Sequence, residues 1–225
     1  MATNVNSYRE ALPKIRELTR GWGCYYPEIR VLVHPISTRI TYMFSRIGVS
    51  PNMVTYIGIL FSAASIFFFY ESQYIASFIC YAIRLIMDYA DGSLARYTQT
   101  FSNYGARLDL ISDYFFYLSF WGAICIKLED ITQSAILVSV ALLYVLVVDY
   151  YVEPRLKTLS RRATLKKYFM NRGIILGFAP FGVFELWSIV FFIFAIPSNF
   201  YIVLPTFVAI DLVSRAYEIF RFSDK

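Results

Sequence analysis

The chain has 225 residues, of which 58% are hydrophobic, 19% aromatic and only 16% charged, whereas a soluble domain of this length carries about a quarter charged residues. Lipid rather than water is the expected solvent, and since one helical crossing needs roughly 20 apolar residues, the length allows at most about six or seven crossings in one compact domain. The formal charge of +5 points to membrane lipids and not to nucleic acid, because basic residues of a membrane protein mark its cytoplasmic side and meet anionic headgroups.

The N-terminus carries charges and Pro13 where a signal peptide needs an apolar stretch, so no cleaved leader is expected. Residues 33–47 place Ile36, Ile40, Met43, Phe44 and Ile47 on one helical face with Arg39 and Arg46 off it. That pattern predicts an amphipathic helix at the headgroup boundary or packed on the bundle. His34, followed by Pro35, reads as structural. Ser50-Pro51-Asn52 then breaks this helix and starts the first crossing.

Apolar runs follow at residues 53–70, 74–87, 105–126, 134–151, 173–196 and 200–220. The second is too short to cross unless its helix continues through the polar stretch up to Arg96. The predicted fold is an all-α integral membrane protein with six transmembrane helices and an N-terminal amphipathic interfacial helix. Residues 1–50 form a cytoplasmic and interfacial segment, and residues 51–225 a six-helix transmembrane catalytic domain. Cys24, Cys80 and Cys125 are scattered without metal-ligand spacing, so neither a disulfide nor a zinc site is expected.

After the second run the chain reads D-Y-A-D-G-S-L-A-R from Asp88, and the third run opens with G-A-R-L-D-L-I-S-D from Gly105 to Asp113. On helices, Asp88, Asp91, Gly92 and Ala95 share one face, and Gly105, Asp109 and Asp113 share another. Two antiparallel helices would then turn four carboxylates toward each other. Near a low-dielectric region these cannot all stay ionised unpaired, and divalent cations resolve the conflict. Oxygen ligands favour hard ions such as magnesium, and the small residues leave a hollow beside them. The competing explanation is that the aspartates cap helices and pair with Arg84, Arg96 and Arg107.

Lysine and arginine are distributed asymmetrically. Arg155, Lys157, Arg161, Arg162, Lys166, Lys167 and Arg172 lie between the fourth and fifth runs, and the N-terminal segment is also basic, while only Lys127 falls on the opposite side. Both termini and the aspartate-bearing loop are therefore expected to be cytoplasmic. Asp211 and Arg215 near the end of the sixth run read as a structural ion pair.

The pattern D-x-x-D-G-x-x-A-R, eight residues, then G-x-x-x-D-x-x-x-D resembles the signature of the CDP-alcohol phosphotransferase family, and every signature position is filled between Asp88 and Asp113. The stretch Pro51-Asn52-Met53-Val54-Thr55 resembles the family's segment before its first span. The resemblance implies that Asp88, Asp91, Asp109 and Asp113 bind two Mg2+ ions, with Mn2+ as a substitute, and that Asp113 also acts as general base. It implies a nucleotide pocket formed by Gly92, Ala95, Gly105, Arg96 and Asn52. The expected partners are a CDP-alcohol donor and a lipid or polar alcohol acceptor, in phospholipid biosynthesis.

Whether the lipid enters as donor or as acceptor is left open by these residues. Arg107 and Arg155 are candidate contacts for an acceptor or a phosphate, since guanidinium forks suit phosphate oxygens. Small membrane enzymes of this kind often pair through one or two spans, so a homodimer is a candidate assembly. A divalent-cation channel or transporter, or a structural scaffold with arginine-paired acids, is the alternative from another class. Neither requires Gly92, Ala95 and Gly105 where they stand.

Overall fold

A computed structural model describes residues 8–18, 33–128, 130–147 and scattered positions between 189 and 216. Arg155, the basic stretch around it, Asp211 and Arg215 lie outside the described residues, as do most of the predicted fifth and sixth spans. The described elements are all helical: α1 (Tyr8–Leu18), α2 (His34–Ile47), α3 (Pro51–Tyr70), α4 (Tyr74–Thr98), α5 (Asn103–Leu128) and α6 (Ile131–Leu146). The chain packs as two compact units, Met1–Phe120 and Trp121–Lys225, with the first ending inside α5.

α3 begins where the sequence predicts a break. The Ser50 side chain accepts a hydrogen bond from the Met53 amide and Pro51 occupies the first turn, where its missing N–H costs nothing. With 20 residues the helix is about 30 Å long. Among the described residues it is the one helix long and apolar enough to cross a membrane. Its faces are inverted relative to a water-soluble helix. Gly58, Ser62 and Ser65 are buried, while Leu60 and Phe67 are 70% and 58% exposed. Small inward residues with apolar outward ones are the pattern of helices that pack against each other in lipid.

The inward small residues let α4 approach closely. Ser65 donates to the Ser77 carbonyl (3.0 Å), and Ser77 donates back to the Ser65 carbonyl (2.8 Å), with both side chains fully buried. Each hydroxyl thereby satisfies its own donor in a place where an unmade bond is costly. α4 runs unbroken for 25 residues, so the polar stretch does continue the second apolar run as one helix. Gln99 in the left-handed conformation ends it.

The N-terminal helices pack with α4 inside the first unit. α2 divides its predicted apolar face. Ile40 and Phe44 lie against Val54, Ala90 and Leu94, whereas Ile36, Met43 and Ile47 stay exposed. Ser37, Thr38 and Thr41 are buried instead, and Thr41 hydrogen-bonds the Ala90 carbonyl at 3.4 Å. A face five residues wide on a short helix is broad enough to touch both the bundle and its surroundings. α1 adds to the expected elements and carries Pro13 within it. Burial of Ala11 and Ile15 against Tyr97 offsets the one backbone bond that proline removes.

Candidate active site

The chemistry-bearing residues sit on the second half of α4 and the first half of α5. Between these helices the chain reverses over four residues. Ser102 accepts a hydrogen bond from the Gly105 amide at 2.9 Å and so caps the start of α5. Side-chain pairs across the two helices then step in opposite directions: Asp88 meets Asp109 and Asp113, Arg84 meets Asp113, and Tyr81 stacks on Phe116. This is the antiparallel arrangement expected from the spacing of the aspartates.

Three of the four predicted carboxylates gather. Asp88, Asp109 and Asp113 each offer an oxygen, and these oxygens all lie within 4.8 Å of one another. The fourth, Asp91, stands apart from that group. It is 6% exposed and accepts a hydrogen bond from the Thr55 hydroxyl at 2.6 Å, which ties α4 to α3. The all-oxygen donor set and its close spacing fit a hard divalent cation, which takes a few carboxylates together with oxygens from water or substrate.

Beside this group opens a cleft of about 450 Å³. All five residues expected to form the nucleotide pocket, Asn52, Gly92, Ala95, Arg96 and Gly105, line it, and Asp91 and Asp109 belong to its wall. The two glycines are there for different reasons. A Cβ on Gly105 would lie 2.7 Å from Asn52 Oδ1, so glycine leaves the Asn52 side chain its place in the cleft and any larger residue would push it aside. On Gly92 it would lie 3.3 Å from Arg96 Nη1, so the guanidinium rests over the bare backbone of α4. Arg96 Nε is buried without a hydrogen-bond partner, a donor in need of an acceptor oxygen.

The arginines separate into three situations. Arg84 is 5% exposed and forms an ion pair with Asp113. Arg96 lines the cleft. Arg107 is exposed on α5 and is not among the residues of the cleft wall. The pairing explanation for the aspartates therefore holds for Asp113 toward Arg84 and accounts for no close contact of Asp91, whose partner is Thr55. Sequence reasoning did not single out Thr55 or Ser102 for the site. Thr55 lies one turn beyond Pro51 in the stretch that led to Asn52, which was the available signal. In the sequence Arg84 reads only as a pairing partner of the aspartates, and it stands one turn before Asp88 on the same face.

Fold and site together define a class: a helical protein that gathers carboxylates able to hold a metal ion beside a cleft floored by small residues. The chain belongs to the CDP-alcohol phosphatidyltransferase family, whose sequence model matches residues 48–213. It is 34% identical over 86 residues to an archaetidylinositol phosphate synthase of Pyrococcus horikoshii (strain ATCC 700860 / DSM 12428 / JCM 9974 / NBRC 100139 / OT-3), covering 38% of this chain and 46% of that protein. It is 33% identical over 98 residues to an uncharacterized protein of Aquifex aeolicus (strain VF5), covering 44% of this chain and 46% of that one. The chain thus spans about half the length of the curated relatives it matches.

Proposed function

We propose that this chain transfers a substituted phosphate from a CDP-alcohol to an acceptor alcohol, releasing CMP, at the membrane surface in phospholipid biosynthesis. The observation that carries the reading is the cleft in which Asn52, Gly92, Ala95, Arg96 and Gly105 meet beside Asp91 and Asp109. A nucleotide needs a pocket of a few hundred Å³ with sparse polar contacts, and a diphosphate needs cations next to it.

Asp88, Asp91, Asp109 and Asp113 would hold two divalent cations, Mg2+ first and Mn2+ as a substitute. When bound, such ions neutralise charge on the donor's pyrophosphate and on the departing phosphate. Gly92 and Gly105 admit the nucleotide close to the backbone, and Arg96 Nε supplies a donor to one of its oxygens. The acceptor oxygen attacks the β-phosphorus in line, and its proton passes to a carboxylate oxygen of Asp113. As the new P–O bond forms, the bond from the β-phosphorus to the bridging oxygen breaks and CMP leaves with that electron pair. No covalent enzyme intermediate is required.

The name of the Pyrococcus relative makes a lipid donor with an inositol phosphate acceptor the first pair to screen. Exposed Arg107 suits a phosphorylated acceptor, with Arg155 as a second candidate. The apolar outward face of α3 supports the membrane reading, with six crossings, cytoplasmic termini and a cytoplasmic cleft proposed from the charge asymmetry. Assembly as a homodimer is proposed with it.

The test is CMP release by purified protein from a panel of CDP-alcohols against polar and lipid acceptors, with and without Mg2+ or Mn2+. Metal-dependent release with one donor supports the reading. Binding of the metal with no affinity for CDP and no release would sink it in favour of a channel or transporter.

A further inference from the structure

Arg84 is the one arginine of α4 placed within the carboxylate group itself. It stands one turn before Asp88, is almost fully buried, and its Nη2 donates to Asp113 Oδ1. Its guanidinium carbon lies 4.4 Å above the Phe116 ring, and that ring stacks between Tyr81 and Phe120. Phe116, Phe120 and Tyr81 are themselves fully buried. Arginine is thus held from two sides, by a carboxylate ahead and a fixed aromatic face behind. A guanidinium over an aromatic face keeps its charge and its plane in one orientation. The same Asp113 carboxylate also offers an oxygen to the group formed with Asp88 and Asp109.

We infer that Arg84, braced on Phe116, is a positioning residue that holds Asp113 Oδ1 and keeps this carboxylate from being drawn fully onto the bound cations. The inference rests on the proposed transfer reaction for its consequence, though not for its geometry. An acid asked both to ligate and to accept a proton must keep an oxygen that the metals do not take. Arg84 does this by competing with the cations for Asp113. Its loss should therefore tighten metal binding while slowing turnover, a pair of signs that simple damage to the fold does not produce.

The experiment uses the full chain in lipid nanodiscs. Mn2+ affinity is read by electron paramagnetic resonance, CDP affinity by calorimetry, and turnover by CMP release from CDP-diacylglycerol with inositol phosphate or whichever pair the panel identifies. Arg84→Met is expected to bind Mn2+ about tenfold tighter and to turn over about 10- to 100-fold more slowly, with CDP affinity within about threefold. Arg84→Lys should recover part of both changes. In an Asp113→Asn background, adding Arg84→Met should shift Mn2+ affinity by less than about twofold, because the partner it competes for is gone. Should Arg84→Met fail to fold, Arg84→Gln keeps a donor at the position and should move Mn2+ affinity in the same direction. Unchanged or weaker Mn2+ binding in the single variants, or full additivity with Asp113→Asn, overturns the inference. If wild type releases no CMP from any donor, the transfer reaction fails, while the Mn2+ measurements still decide the role of Arg84.

Discussion

Gly105 shows how a missing side chain can carry as much of a site as a charged one. Its Cα faces Asn52, and a Cβ would meet Asn52 Oδ1 at 2.7 Å and Ser102 Oγ at 3.0 Å. Alanine is the better helix former, so Gly105→Ala should leave thermal stability within about 1 kcal/mol of wild type. It should nevertheless displace Asn52 into the cleft and lower CDP affinity at least about tenfold, since each 1.4 kcal/mol is tenfold. Gly122→Ala is the control, because nothing lies within 4 Å of its Cβ position. Equal CDP affinity in Gly105→Ala and wild type would take Asn52 and Gly105 out of the nucleotide site. Asp91 poses the complementary question, since it hydrogen-bonds Thr55 and stands outside the three-carboxylate group. Asp91→Asn keeps an acceptor for Thr55, so the fold should persist while Mn2+ affinity and CMP release both fall by about 10- to 100-fold or more. Retained Mn2+ affinity in that variant would confine metal binding to Asp88, Asp109 and Asp113. The spacing of aspartates and small residues on two helices made most of these positions legible in the sequence. The link from Asp91 to Thr55 was not, because it joins residues 36 apart through a packing of α3 on α4 that periodicity does not encode.

Helices in lipid gain little from burying apolar surface against each other, so their contacts depend on close fit and on hydrogen bonds. The reciprocal Ser65 and Ser77 bonds between α3 and α4 are of this kind. Ser77→Ala should cost about 0.5–1.5 kcal/mol, the usual net worth of such a bond. Ser77→Leu should cost more, at least about 2 kcal/mol, because overpacking forces the two helices apart. Thermal unfolding in nanodiscs reads both, and equal midpoints for the two variants would show that this contact does not set the spacing of α3 and α4. The lengths of α3, α4 and α5 were readable from apolar runs and from the continuation through Arg96. α1 was not, since its helix is held by Ala11 and Ile15 against Tyr97, a residue far along the chain. The inward polar face of α2 was hidden for the same reason. A face of Ser37, Thr38 and Thr41 looks solvent-facing in a sequence, yet it is buried, with Ser37 and Thr38 donating to the His34 carbonyl of their own helix and Thr41 to the Ala90 carbonyl on α4.

At the scale of the whole molecule, the first unit sets the cleft and the N-terminal helices at the same end of α4. α1 reaches Tyr97, one residue beyond Arg96, and Lys14 lies 5.7 Å from the Tyr97 ring centre. The proposed topology makes that end cytoplasmic, which would expose the cleft to a soluble nucleotide and deliver CMP where it can be used again. The argument for it is the charge asymmetry: seven basic residues between Arg155 and Arg172 and a basic N-terminal segment, against Lys127 alone on the other side. Impermeant maleimide labelling tests this in a chain whose native cysteines have been replaced. Thr132→Cys, at the exposed start of α6, should label in intact cells, and Ser160→Cys, which lies outside the described residues, only after the membrane is opened. Labelling of Ser160→Cys in intact cells would reverse the orientation. A CDP-alcohol made inside the cell could not then reach a cleft on the outer face, so that labelling would overturn the proposed topology and leave CMP release by the purified protein to decide the transfer reaction.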